Sequence, residues 1–496
     1  MEDGLYYGNG VDARTGDYCV EPVTEAELVD LARAATKPEA ESAEGLLQAR
    51  LDREKAHYGL EFGIDPCDLA QTGWGVVFPA AEPGTAAATR QEAIREALQP
   101  LLRHRQAQAS SNDPRFYQEY TGARGYRRGD GCAQHLARLG VDPSVAANPE
   151  AMPYYLLLAG SPEEIPFVYQ YLLDVTYAVG RIDFDTIDEY HSYAKSVVEA
   201  ETGPRRRARR AAFFGVQNEE DEATKLSRAQ LVEPLASQLE LEHPRTWSIE
   251  RHYDAQASKA TLGRLLGGEE TPALLFSASH GASFPCDDPM QLRRQGALLC
   301  SEWRRSPGEP LKEDVYFSAD DLSPSADLRG LIAFNFACYG AGTPEFSDYR
   351  RRGSLDAHPR VAPRPFLSSL HKALLGHPRG GALATVGHID LAFAHSLPSE
   401  EIRNRIVTFR GMLKALMRGI PVGAAMESFN QRFAALGAGM STAFDTLTYL
   451  QPESPEALRE KKGIAKRWVE HNDARGYVVT GDPAVRLVWP DPGAAA

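Results

Sequence analysis

A chain of 496 residues, 43% of them hydrophobic and 25% charged, has ample material for a buried core and the make-up of an ordinary globular protein of two to four domains or subdomains. The net charge of −14 argues against a surface that as a whole attracts nucleic acid or anionic lipid. No apolar run is long enough to cross a bilayer.

Met1-Glu2-Asp3-Gly4 is acidic, and neither a basic segment nor an apolar one follows, so no secretory signal is read there. Residues 1–22 are rich in Gly, Tyr and Asp and read as loop and strand; residues 23–60 have a helical pattern. Trp74-Gly75-Val76-Val77-Phe78 reads as a short strand and residues 88–105 as a helix. Residues 106–150 are polar and turn-rich, which puts a soft boundary near 150. Beyond it apolar runs of strand length alternate with helices. The strands are Tyr154 to Gly160, Val175 to Ile182, Ala211 to Val216, Ala273 to Ser279, Leu331 to Ala337 and Ala382 to Gly387. The helices cover Thr186 to Glu201, 222–240, 257–267 and Phe366 to Leu375. Strands without two-residue alternation are buried on both faces, and strands interleaved with helices pair in parallel. Residues 400–474 read as helical, with breaks at Gly419 and between Pro452 and Pro455. Tyr477 to Thr480 and Val485 to Val488 read as two short strands about a turn, and Pro490 to Ala496 as a disordered tail. No internal repeat is present.

The expected fold is therefore α/β: a mostly parallel sheet flanked by helices, with a helical C-terminal region. Its parts are residues 1–150, a candidate first α/β subdomain; 151–400, the main α/β layer; and 401–496, helices and closing strands packed on it. The run Arg205-Arg206-Arg207-Ala208-Arg209-Arg210 reads first as a solvated loop and second as a proteolytic processing site; it lacks the aromatic residues of a nucleic-acid surface.

Several chemistries lose support at once. There is no GxxxxGK[ST] loop, no HExxH, no GxSxG, and no GxGxxG following a strand. The six cysteines, Cys19, Cys67, Cys132, Cys286, Cys300 and Cys338, are scattered without a CxxC pair. That argues against a zinc site or disulfide framework and for a reducing cytoplasm, where a cysteine is free to act as a thiolate. Two strand ends remain. Leu274-Leu275-Phe276-Ser277-Ala278-Ser279 delivers His280-Gly281, and Leu331-Ile332-Ala333-Phe334-Asn335-Phe336-Ala337 delivers Cys338-Tyr339-Gly340. The 58 residues between His280 and Cys338 suffice for a crossover between parallel strands. Open parallel sheets gather reacting groups outside their carboxyl ends. There His280 can hold a Cys338 thiolate or protonate a leaving amine. The N–H groups of Gly281 and Cys338 can bind an oxyanion. Cys286 and Cys300 have no strand-end setting and read as structural.

Strand–His–Gly followed by strand–Cys–x–Gly resembles the clan of cysteine peptidases that contains caspases, gingipains, legumains and separases. Three further segments are similar to the gingipain branch and its bacterial caspase-like relatives. Leu156-Leu157-Leu158-Ala159-Gly160-Ser161-Pro162-Glu163-Glu164-Ile165-Pro166 resembles a strand followed by a Gly-Asp-x-x-x-Ile-Pro turn, with Ser161 in place of the Asp. Asp174-Val175-Thr176-Tyr177-Ala178-Val179-Gly180-Arg181 resembles the Asp-x-x-Tyr and Val-Gly-Arg elements joined without an insertion. Gly481-Asp482-Pro483-Ala484-Val485-Arg486-Leu487 resembles the close of such domains. The resemblance implies a caspase-like catalytic layer over residues 151–400 and hydrolysis of a peptide bond through a thioester, without metal or organic cofactor. It also implies a protein or peptide partner and a charged pocket for the residue before the cut. Asp174 matches the acid that holds Arg or Lys. His388 and Asp390, at the end of the next strand, are further candidates for the substrate wall, and Glu164 matches an acid that orients the histidine. Cleavage after Asp with Arg181 in the pocket, a silent scaffold that binds protein partners, and an acyl transferase using the same thioester are the alternatives. Oligomeric state is left open.

Overall fold

The computed structural model describes residues 5–24, 27, 59–143, 145–349, 359–395, 399–451 and 454–489. Most of the segment expected to be helical at 23–60, and the tail from Pro490, lie outside the described residues.

The chain begins with three short strands, β1 (Leu5–Gly8), β2 (Gly10–Asp12) and β3 (Val23–Thr24). β4 (Trp74–Val77), β5 (Tyr117–Tyr120), β6 (Tyr155–Ala159) and β7 (Ala178–Ile182) follow. Next come β8 (Arg210–Gly215), β9 (Ser248–Tyr253), β10 (Leu274–Ala278), β11 (Gly281–Ser283), β12 (Leu298–Leu299) and β13 (Tyr316–Phe317). The last are β14 (Ile332–Phe336), β15 (Gly342–Thr343), β16 (Phe366–Leu367), β17 (Ala384–His388), β18 (Phe393–His395) and β19 (Tyr477–Gly481).

Among the described residues, ten strands form one sheet in the order β5-β4-β6-β7-β19-β17-β14-β10-β8-β9. Neighbours are parallel throughout, except where β19 meets β17. Two parallel halves thus run in opposite directions and join at one antiparallel seam. The carboxyl ends of β8, β10, β14 and β17 open on one edge of the sheet, and those of β4, β6 and β7 on the other. A five-residue strand separates the two edges by about 16 Å. Every residue of β6, β7, β10, β14, β17 and β19 is buried, as strands covered by helices on both faces must be. β4 pairs with β6 across residue 150, so both sides of that position share one sheet. The expected α/β class, with a mostly parallel sheet, flanking helices and a helical C-terminal region, is the one observed. No helix among the described residues is long and apolar enough to cross a membrane.

The C-terminal helices, Ser399–Met417, Val422–Ala425, Glu427–Tyr449 and Pro455–Gly476, break where Gly419 and the prolines near 452–455 place the breaks. Other boundaries differ from expectation. Val175 ends the helix Phe167–Asp174, so the strand begins only at Ala178. Pro100 starts a second helix, Gln99–Ala109, where one was expected, since proline fits a first turn and not an interior. The helix at 222–240 contains a π turn, Arg228–Val232. The polar stretch 106–150 holds β5 and the helix Cys132–Arg138. Val485 to Val488 is not a strand: the Val485 carbonyl accepts from Val422 N–H (2.9 Å), so this stretch packs along the C-terminal helices instead.

Asp482 ties the two ends of the described chain together. Its carboxylate accepts from Trp74 Nε1 (2.9 Å) and Arg105 Nε (2.7 Å), and Arg105 also grips Glu201 at 2.7 and 2.8 Å. All three charged groups are nearly or wholly buried, and Arg105 holds Glu201 down at about 2 against the opposing effect of burial. Removing the cation takes the ion-pair partner from Asp482 and leaves Glu201 with His104 alone at 2.7 Å. Arg105→Ala is therefore expected to lower the unfolding free energy by about 3–5 kcal/mol in urea titrations. A loss below about 1 kcal/mol, the range of surface pairs, would contradict this account.

Candidate active site

β10 and β14 are neighbours in parallel register, with Ala278 opposite Phe336. Ser279 N–H continues the ladder to the Phe336 carbonyl at 3.1 Å. His280 and Cys338 therefore stand at equivalent positions, two residues beyond adjacent strand ends. The backbones touch: a Cβ added to Gly281 would lie 1.9 Å from the Cys338 carbonyl oxygen, so no side chain fits there. Tyr339, directly after Cys338, has φ of 57° and turns the chain sharply; its N–H donates to the Asp390 carbonyl at 2.8 Å.

A third strand end completes the arrangement. β8 pairs with β10, and the loop after it leads to Asp221, the residue before the helix Glu222–Ser227. The Asp221 carboxylate lies 2.9 Å from His280 Nε2, and both side chains are fully buried. Thr224 Oγ1 and Tyr18 Oη (2.6 Å) also donate to it. Burial alone would raise the Asp221 pKa; the His280 ring and these donors overcome it and hold the carboxyl down to about 2. An ionised carboxylate only accepts, so Nε2 carries a proton, and in the neutral ring Nδ1 is the nitrogen with the lone pair. Nδ1 is buried and has no hydrogen-bond partner among the described residues. Trp303 packs edge-on against the ring at 5.4 Å between centroids, and Tyr18 covers it at 5.7 Å.

Cys338 Sγ donates to the Ala392 carbonyl (3.4 Å), accepts from Ala392 N–H (3.2 Å), and makes no hydrogen bond to His280. The thiol is fully buried, which pushes its pKa well above the ordinary range. Beside it, the N–H groups of Gly281 and Cys338 converge on one oxygen, the carbonyl of Asn9, at 2.9 and 3.1 Å. The expected oxyanion donors are thus aimed at a single peptide carbonyl.

Other expected site residues fall elsewhere. Glu164 follows β6, whose carboxyl end lies on the opposite edge of the sheet, and its carboxylate accepts from Ser161 N–H (3.1 Å) and Oγ (2.9 Å). It does not orient His280; Asp221 does. Asp174 precedes β7 on the same edge as Cys338, but three strand spacings, roughly 14 Å, separate β7 from β14. It accepts from Val179 N–H (3.2 Å), and burial pushes its carboxyl well above the usual range. Arg181 donates from Nε to Gln170 (2.9 Å) and from Nη1 to the Gly160 carbonyl (3.0 Å), on the edge of the sheet away from Cys338. Asp390 does lie at the site. Its carboxylate accepts from Ser347 Oγ and Asp348 N–H (3.0 Å) at φ of 70°, and burial, then Asp348, raise its pKa to about 7. His388 Nε2 bonds the Asp473 carbonyl at 3.2 Å, and Asp473 joins Asp390 among the charges felt by Cys338. Of the arginine run, Arg206 and Arg207 are engaged by backbone carbonyls, including Gly203, Glu201, Thr271 and Asp327, rather than free in solvent.

No family model and no curated protein matches the chain. Several solved structures are similar, three of them as follows. One is described as "Structure of Protease", with 11% identity over 85% of this chain and 80% of that chain and a TM-score of 0.42. A second is the complex of Porphyromonas gingivalis RgpB pro- and mature domains, with 13% identity over 84% and 81% and a TM-score of 0.41. The third is the Saccharomyces cerevisiae separase–securin complex, with 8% identity over 68% of this chain and 16% of that chain and a TM-score of 0.28. All three are distant.

Asp221 and Tyr18 were not found in the sequence. Asp221 carried only a partial signal: Ala211 to Val216 is a third apolar run in the same half of the chain, but Asp221 sits within the acidic run Glu219 to Glu222, which does not single it out. Tyr18 carried none, because only folding brings the N-terminal segment to the strand ends.

Proposed function

We propose that the protein is a cysteine endopeptidase, with Cys338 as nucleophile, His280 as proton carrier and Asp221 as the residue that orients His280. The supporting observation is the convergence of the Gly281 and Cys338 N–H groups on one peptide carbonyl beside the Cys338 thiol, at distances suited to an oxyanion. In the proposed reaction the neutral His280 ring, whose tautomer the Nε2–Asp221 bond sets, takes the thiol proton on Nδ1. Sulfur attacks the carbonyl carbon, and the two N–H groups hold the charge that forms on oxygen. The imidazolium then protonates the leaving amine, and water resolves the thioester.

A residue before the cut of the Arg or Lys class is the preference that resemblance implies through Asp174, and the position of that carboxylate does not favour it. The scaffold reading draws on one feature, the burial of the Cys338 thiol, which raises its pKa. The two readings separate by experiment. Incubation of the full chain with a mixed peptide pool and hydroxylamine should give cleavage that depends on Cys338, together with hydroxamate products from the thioester. Cleavage that survives Cys338→Ala, or none at all, would refute the peptidase.

A further inference from the structure

The carbonyl held by the two N–H groups belongs to the chain itself. We propose that residues 5–12 occupy the peptide channel of this site as a substrate does, and that the enzyme cuts after asparagine, first of all at its own Asn9–Gly10 bond. The proposal rests on the peptidase reading above.

Both sides of that bond are held by backbone. On the amino side, β1 adds antiparallel to β18, with Tyr6 opposite His395, Tyr7 opposite Ala394 and Gly8 opposite Phe393; Asn9 N–H completes the ladder to the Ala392 carbonyl at 2.8 Å. Addition of an extended segment to a strand edge is a common way to bind peptide without reading its sequence. Ala392 is also the residue that Cys338 Sγ touches, so the ladder ends on the thiol. On the carboxyl side, β2 runs parallel to β11 from Gly10 opposite Gly281 to Asp12 opposite Ser283. A Cβ added to Gly10 would lie 3.0 Å from Cys338 Cβ and 3.1 Å from Sγ. The Asn9–Gly10 peptide therefore rests against the nucleophile, and glycine is the residue that fits after the cut.

The Asn9 side chain tells what the pocket accepts. It is fully buried, and neither Oδ1 nor Nδ2 has a hydrogen-bond partner among the described residues. A buried position that offers the side chain no hydrogen-bond partner among the described residues tolerates a small neutral carboxamide better than a guanidinium, ammonium or carboxylate, whose burial unpaired costs far more. The substrate class that follows is an extended segment with Asn before the cut and Gly after it.

The reaction balances with water as the only co-reactant. The Cys338 sulfur bonds to the Asn9 carbonyl carbon as the bond to Gly10 nitrogen breaks, and the thiol proton passes through His280 to that nitrogen. Water then adds hydroxyl to the carbon and returns hydrogen to sulfur, releasing residues 1–9 with a carboxylate on Asn9. Residues from Gly10 onward stay, because Val11 bridges Tyr18 and Tyr18 donates to Asp221. Until release the strand seals the thiol from solvent, in keeping with its raised pKa.

The test follows the N-terminus of the full chain by intact mass and sequencing, beside the Cys338→Ala and Asn9→Arg variants. The same proteins are offered the peptide Leu-Tyr-Tyr-Gly-Asn-Gly-Val-Asp and versions with Arg, Lys or Asp in place of its Asn. The parent should lose residues 1–9 and begin at Gly10, while Cys338→Ala keeps them; spontaneous Asn-Gly chemistry would act on both chains alike. Asn9→Arg should slow the cut by about 10²-fold, and the Asn peptide should be preferred over the others by a similar factor. Retention of residues 1–9 by a chain that hydrolyses any of these peptides through Cys338, or equal cutting of Asn9→Arg, would overturn the proposal and leave the peptidase standing. Absence of any Cys338-dependent cleavage would bring down both.

Discussion

Cys338→Ala is expected to reduce peptide hydrolysis by about 10⁴-fold or more while the protein still folds and still binds peptide. The Cys338 sulfur stands beside the held carbonyl just beyond the end of β14, and its hydrogen bonds among the described residues run to Ala392. Its removal leaves the Gly281 N–H, the Cys338 N–H and both strand ladders intact. KM should stay near the parent value as kcat collapses, and thermal unfolding should shift by no more than a small cavity requires. An equal loss in stability and activity would instead point to a structural cysteine.

The second large effect is expected for Asp221→Asn: a fall of about 10²–10⁴-fold in kcat with a modest change in KM. The carboxylate fixes the proton on His280 Nε2; an amide in its place can donate to Nε2 and favour the opposite tautomer, which loads Nδ1 and removes the base. Stability should fall as well. The Asp221 carboxyl is depressed in the folded state, so its contribution of about 2 kcal/mol is present above pH 4 and disappears as pH drops towards 2. The variant should lose that acid-side dependence. Asp221→Asn with parent kcat would remove Asp221 from the reaction.

Much of the sheet was legible because its strands are long apolar runs with no alternation, and such runs have one stable use in an α/β chain. The placement of His280 and Cys338 at neighbouring strand ends was legible for the same reason: each closes such a run, with a glycine directly after His280 and one residue further on after Cys338. The antiparallel seam between β17 and β19 was not legible. Tyr477 to Gly481 reads alike in either direction, yet its orientation decides that Glu164 faces away from His280 while Asp221 faces it. Asp174 was carried by motif alone, and the three strand spacings between β7 and β14 are invisible in a linear motif. The N-terminal segment was read as loop and strand, but its partners, β18 and β11, lie more than 250 residues downstream in sequence. Pairing at such range leaves no local trace.

The most direct test is covalent capture of the nucleophile. Peptidyl acyloxymethyl ketones ending in Asn, Arg, Lys or Asp are incubated with the folded chain after its N-terminus has been followed to completion, and adducts are mapped by mass. The account predicts an adduct on Cys338 alone with at least one of these probes, lost in His280→Ala. Labelling of Cys338 only after denaturation, or adducts confined to the partly exposed Cys67 and Cys286, would contradict it.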